Sequence, residues 1–132
     1  SPKHQQKIWP YYNELIIKLK SNFPDVDIVI APGPGEIKAA KKYNVKVCLH
    51  NKKPTNFFQL SKLLIGAKYV ISNDTGPAHL AAHMGCHGLA LFGSHTTPKK
   101  VSIETSHFSS ISSKNISDIS VEAVYKKIDS HL

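Results

Sequence analysis

The feature that most constrains this 132-residue chain is an alternation along its length. Short apolar runs, the first of them rich in β-branched residues, are separated by stretches whose apolar residues recur at helical spacing. Val26–Ala31, Val45–Leu49, Tyr69–Ser72 and Leu89–Phe92 have the length and composition of buried strands. Between and around them, Leu15, Ile16 and Leu19 within 11–22 and Phe57, Leu60, Leu63 and Leu64 within 56–65 keep the spacing of one helix face. Val121, Val124, Tyr125 and Ile128 do the same within 121–131. Helices are also expected over 36–43 and over 75–84, the second stopped at Gly85, and 108–111 is a candidate last strand. Strands alternating with helices predict an α/β fold, a parallel sheet with helices on both faces. The length suits one compact domain with one core.

Composition narrows the partners. The formal net charge is +8, carried by lysine alone, because the sequence has no arginine. Such a balance fits an anionic small ligand, a membrane surface or nucleic acid. The absence of arginine weakens a sequence-specific nucleic-acid reading, since arginine makes the bidentate contacts to guanine and to phosphate. No apolar run approaches the length of a membrane span, and the polar, basic start at Ser1–Lys7 is no secretory leader. Cys48 and Cys86 each sit in apolar stretches, which gives no disulfide framework and suits a reducing compartment. The chain opens on Ser1 and its single methionine is Met84, so it is expected to be a fragment of a longer protein.

Three loops follow strands on one edge of the inferred sheet: 32–36, 73–79 and 93–98. Ligands of open parallel sheets bind beyond this edge. The middle loop, Asn73-Asp74-Thr75-Gly76-Pro77-Ala78-His79, carries the strongest chemistry. A helix start offers unpaired N–H groups and a partial positive charge. Gly76 lets an anion approach the backbone, Pro77 fits the first turn, and His79 lies within the first turn or so. Together these make a diphosphate site. On the residues alone, an ordinary helix cap by Asp74 or Thr75 with a surface His79 is an equal reading.

The segment Ser72-Asn73-Asp74-Thr75-Gly76-Pro77-Ala78-His79-Leu80-Ala81-Ala82, then Gly85, then Leu89-Ala90-Leu91-Phe92-Gly93, resembles the family 9 glycosyltransferases, the ADP-heptose:lipopolysaccharide heptosyltransferases and their relatives. Lys7-Ile8-Trp9-Pro10 resembles that family's Lys-x-Trp-Pro segment, and Ile65–Ser72 its strand entry; the likeness spans roughly residues 7 to 98. It implies a Rossmann-like domain, one half of a GT-B glycosyltransferase, here the C-terminal, donor-binding half without its first strand. Residues 1–132 would then be a single domain that binds a nucleoside-diphosphate sugar, with ADP-heptose for lipopolysaccharide core as the leading candidate.

The resemblance also assigns roles. Lys7 would reach the donor phosphates, and Thr75 and Gly76 would offer backbone donors to the diphosphate. Asp74 and His79 would face the donor sugar and phosphates, Glu36 the ribose and Thr55 the base pocket. No catalytic residue, metal or cofactor is expected in this half. The general base of an inverting transfer would come from the missing N-terminal acceptor-binding half, so the chain alone should bind donor without transferring it. The expected setting is the cytoplasm, with peripheral contact at the inner membrane face. The chain departs from the family's pattern at Cys86-His87-Gly88, where a proline-containing turn is usual, and at Gly93-Ser94-His95-Thr96, where Gly-Pro-Thr is usual.

Three other readings compete. His79 and His83 lie four apart with Cys86 and His87 close behind, which suggests zinc ligands, although Gly85 breaks the helix between the pairs. Trp9, Tyr11 and Tyr12 beside lysines suggest base stacking in a basic nucleic-acid-binding module. A different sugar-nucleotide enzyme of similar fold would share the same loops. Nucleic acid is not the expected partner.

Overall fold

The computed structural model describes residues 8–33, 35–73, 75–93 and 103–132. Along the chain run α1 (Tyr12–Asn22), β1 (Val29–Ile30), α2 (Ile37–Ala40), β2 (Lys46–Val47), α3 (Phe57–Ile65), β3 (Val70–Asn73), α4 (Gly76–His83), β4 (Gly88–Phe92), β5 (Phe108–Ser112) and α5 (Val121–Ile128). Short 3-10 turns stand at Ile116–Asp118 and Asp129–His131. The expected alternation is present. The strand expected over 26–31 is confined to Val29–Ile30, and the one over 45–49 to Lys46–Val47, with Cys48 N adding a bond to Ile30 O at 2.7 Å. The candidate strand at 108–111 forms and extends to Ser112.

Both ladders are parallel. β1 pairs with β2, while β3, β4 and β5 form a three-stranded sheet with β4 in the middle. Every residue of β4 is buried. Its side chains alternate between faces, as a strand requires. Leu89 and Leu91 join Trp9, Leu15, Leu19, Ile116, Ile119, Val124 and Ile128 on one face. Ala90 and Phe92 join Leu64, Ala78, Ala81, Ala82, Ile103 and Phe108 on the other. Two separate clusters sharing one strand are the physical form of a sheet covered on both faces.

Local chemistry fixes the helix ends. Asn56 and Gln59 exchange side-chain-to-backbone bonds of 2.8 and 2.9 Å, a full capping box for α3. Ser120 Oγ accepts from Ala123 N at 3.1 Å to start α5, with Glu122 in the first turn and Lys126 and Lys127 in the last, matching the helix dipole. Gly85, at φ 78°, takes the left-handed conformation that closes α4. At Gly88 the backbone packs so tightly that a Cβ would lie 2.6 Å from Val70 O and 2.4 Å from the Phe108 ring. Only glycine lets β3, β4 and β5 close up there. Among the described residues, no helix is long and apolar enough to cross a membrane.

Candidate functional site

β3 runs parallel to β4, so its chain leaves the sheet at the carboxyl edge and turns at once into α4. Thr75 is the extended N-cap residue of α4, at φ −143° and ψ 169°, but its hydroxyl does not cap the helix. Instead Thr75 Oγ1 lies 3.0 Å from Ser72 Oγ and donates to Asn73 O at 3.4 Å, bracing the turn from within. The amides of Ala78 and His79 both reach back to Thr75 O, at 3.1 and 3.3 Å. The amide of Gly76 stands ahead of these first intrahelical bonds, where a helix has no carbonyl of its own to offer. Gly76 is exposed, and a Cβ built on it would meet no heavy atom of the described residues within 4 Å. The positive end of α4 therefore opens onto free space, the arrangement that accepts an anion.

A second element is bolted to this turn. Asn73 Oδ1 accepts from Trp9 N at 3.1 Å and from Tyr12 OH at 2.9 Å. Trp9 is fully buried, and its indole N–H donates to Ile119 O at 2.8 Å. Its ring meets Tyr11 and Tyr12 edge to face, with centroids 5.7 and 5.1 Å away. Burial holds the Tyr12 phenol well above the usual tyrosine range, with further upward contributions from Tyr43 and Glu36, so it stays a protonated donor.

Glu36 closes its own loop. Its Oε1 accepts from Gly33 N at 2.8 Å, and its amide donates to Gly33 O at 3.1 Å. One carboxylate oxygen thus holds the loop, and a Cβ at Gly33 would stand 2.6 Å from it. Thr55 is half-buried beside the capping box of α3, and no hydrogen bond among the described residues links it to Asn73 or Gly76. His79 is half-buried on the first turn of α4. Lys7 and Asp74 lie outside the described residues, as do 94–98 of the third loop. The structure therefore has Thr75, Gly76 and His79 at one helix start, Glu36 bonded within its own loop, and Thr55 beside the cap of α3. The sequence named Asn73 only as part of the loop and Tyr12 only as a base-stacking candidate, and did not pair them. Their pairing spans 61 residues, and the signal within reach was the aromatic run directly after Lys7.

The competing constellations are used elsewhere. Cys86 Sγ donates to Leu64 O at 3.5 Å, and burial pushes its thiol up. The His87 ring lies 4.5 Å from that of His107 and 5.1 Å from that of His131. Among the described residues, no three histidine, cysteine, aspartate or glutamate side chains stand where they could hold a metal ion. Trp9 is 0% exposed, so its ring has no face to offer a nucleic-acid base.

The sequence pattern of glycosyltransferase family 9 (heptosyltransferase) matches residues 1–126. The chain belongs to that family. Among solved structures, E. coli heptosyltransferase WaaC with ADP is similar, at 25% identity and a TM-score of 0.81. The match covers 96% of this chain and 41% of that one, so the chain spans well under half the length of the enzyme it resembles. Comparison with curated proteins gave no match. The helix-flanked parallel sheets seen here are thus the Rossmann-like fold of one part of a GT-B heptosyltransferase.

Proposed function

We propose that this family 9 chain is the donor-binding half of a heptosyltransferase and that it holds a nucleoside-diphosphate sugar, ADP-heptose first among candidates. The open, positively polarised start of α4 at Thr75 and Gly76 carries the reading. In a sugar transfer the diphosphate is the leaving group and gains charge as the glycosidic bond breaks. Backbone amides fixed in place before the reaction stabilise that charge without reorganising. Lys7, two residues before Trp9 in the sequence, and His79 on the same helix start would neutralise more of it. Asp74 would face the sugar and Glu36 the ribose. With Glu36 Oε1 already engaged by Gly33 N, the ribose contact falls to its second oxygen or to an exchange of the two. Thr55 would line the base pocket.

Activation of the acceptor hydroxyl requires a general base, which this reading assigns to an N-terminal acceptor-binding half. The acceptor would be lipopolysaccharide core, met in the cytoplasm at the inner membrane face. The WaaC structure is described with ADP, which supports an adenine nucleotide as the donor's handle.

Titration calorimetry with ADP, GDP, UDP, CDP and ADP-heptose tests the reading. Heat is expected with ADP and ADP-heptose, and single-stranded DNA should not compete. Absence of heat with all five ligands would overturn it. Sugar transfer by the isolated chain would separately overturn the assignment of the base to another half.

A further inference from the structure

Asn73 does two jobs at one position. It is the last residue of β3, paired with Leu91 of the central strand, and it is the residue from which the α4 turn departs. Its backbone carbonyl accepts from Thr75 Oγ1, inside the turn. Its side-chain oxygen takes two donors from a segment more than sixty residues away, the Trp9 amide and the Tyr12 hydroxyl. A carboxamide oxygen has two lone pairs, and both are used. Two converging donors also fix which way the carboxamide faces, because an NH₂ group there would oppose the Trp9 N–H.

The donors are themselves rigid. Trp9 is locked by burial and by its bond to Ile119 O. Tyr12 begins α1 and stacks edge to face on Trp9. The turn at the positive end of α4 is therefore referenced to the core through Asn73.

We infer that Tyr12 is a positioning residue for donor binding, acting through Asn73 to hold the Thr75–Gly76 amides where a diphosphate meets them. Lys7 precedes Trp9 by two residues, so the same oxygen joins the lysine-bearing segment to the anion-facing turn. The inference rests on the donor reading above and adds to it a residue that touches no ligand. An exposed helix start loses affinity when its first amides move, because the anion is recognised by direction as well as by charge. Tyr12→Phe keeps the ring against Trp9 and removes only the hydroxyl, so it separates position from packing.

The test uses the full chain with four sequences: wild type, Tyr12→Phe, Asn73→Leu and Asn73→Asp. Tyr12→Phe should lower the melting temperature by a few degrees at most, raise the ADP dissociation constant about 5- to 10-fold and raise that for AMP less. Hydrogen exchange at the Ala78 and His79 amides, which bond to Thr75 O, should quicken in Tyr12→Phe and Asn73→Leu. Asn73→Asp still offers an acceptor to both donors, so it should keep the exchange slow while its charge weakens ADP. Wild-type affinity together with wild-type exchange in Tyr12→Phe overturns the inference. Equal weakening toward ADP and AMP, with unchanged exchange, also overturns it, since a positional effect must reach the diphosphate through this turn. A wild-type chain that ignores every nucleoside diphosphate removes the donor reading, and with it the functional role. The exchange comparison still decides whether the clamp holds the turn.

Discussion

The two ladders of this chain differ in how they hold the loops they carry. β3–β4–β5 is clamped between two apolar clusters, and its middle strand is wholly buried. β1–β2 comprises two residue pairs, none of them buried. The loop assigned to the diphosphate leaves the first ladder and is tied to buried Trp9 through Asn73. Glu36 and Thr55, assigned to ribose and base, leave the second, where the nearby bonds are local, such as Glu36 to Gly33 and Asn56 to Gln59. The contrast matches the chemistry of the proposed ligand. Phosphate recognition by backbone amides needs a fixed backbone, because amides cannot swing to meet their target. Contacts to a nucleoside are made by side chains, which tolerate a lighter scaffold.

The largest effects should separate the ladders. Trp9→Ala opens a cavity on the strong side and strands the Ile119 carbonyl, so it should cost about 3–5 kcal/mol in urea unfolding. Val47→Ala, half-buried on β2, should cost about 1 kcal/mol. Equal costs would erase the distinction. Gly76→Ala comes next. It adds a methyl to open space at a helix start, so stability should hold, while ADP affinity falls about tenfold or more as the methyl takes the anion's approach. Calorimetry and a melting curve on one preparation check both halves of that statement.

Glu36→Ala should weaken ADP a few-fold, because it loosens the loop and removes the proposed ribose acceptor. Glu36→Gln, which keeps an oxygen for Gly33 N, should fall between. A Gln variant as weak as Ala would mean that the charge matters more than the clasp. A smaller effect concerns alkali. Burial pushes the half-buried Tyr69 up from 10.0 to about 12. The unfolded chain ionises this phenol first, so the folded state's advantage is intact below 10 and disappears as pH climbs toward 12. Tyr69→Phe should flatten that decline in pH-dependent melting.

The smallest effect belongs to Lys18 and Glu122, paired at 2.8 Å across the surface of α1 and α5. The hydrogen bond from Lys18, and then its charge, lowers the Glu122 carboxyl. Its contribution is present above the ordinary glutamate range and is lost as pH falls through the lowered value. Solvent and salt screen this pair, so Glu122→Gln should barely move the melting temperature.

Much of this was legible along the chain. Leu89–Phe92 was readable as a buried strand because all its residues are apolar and β4 is buried on both faces. The helix start at Thr75–Gly76–Pro77 was readable because proline and glycine act on the backbone locally. Val26–Ala31 was read too long, since β-branched residues mark an extended chain but do not say how many of its amides find a neighbouring strand. Thr55 came from the family's pattern, and the bonds seen beside it are those of a helix cap.

The sequence by itself determined what depends on neighbours in the chain: the alternation of elements, the two-faced strand β4, the break at Gly85, and a helix start at Thr75-Gly76-Pro77. Tertiary structure alone decided which distant side chains brace that tip. Nothing local to Asn73 announces that its oxygen will be shared by Trp9 and Tyr12. A hydrogen bond across more than sixty residues forms only after packing has brought both ends to the same sheet edge, and packing is a property of the whole core.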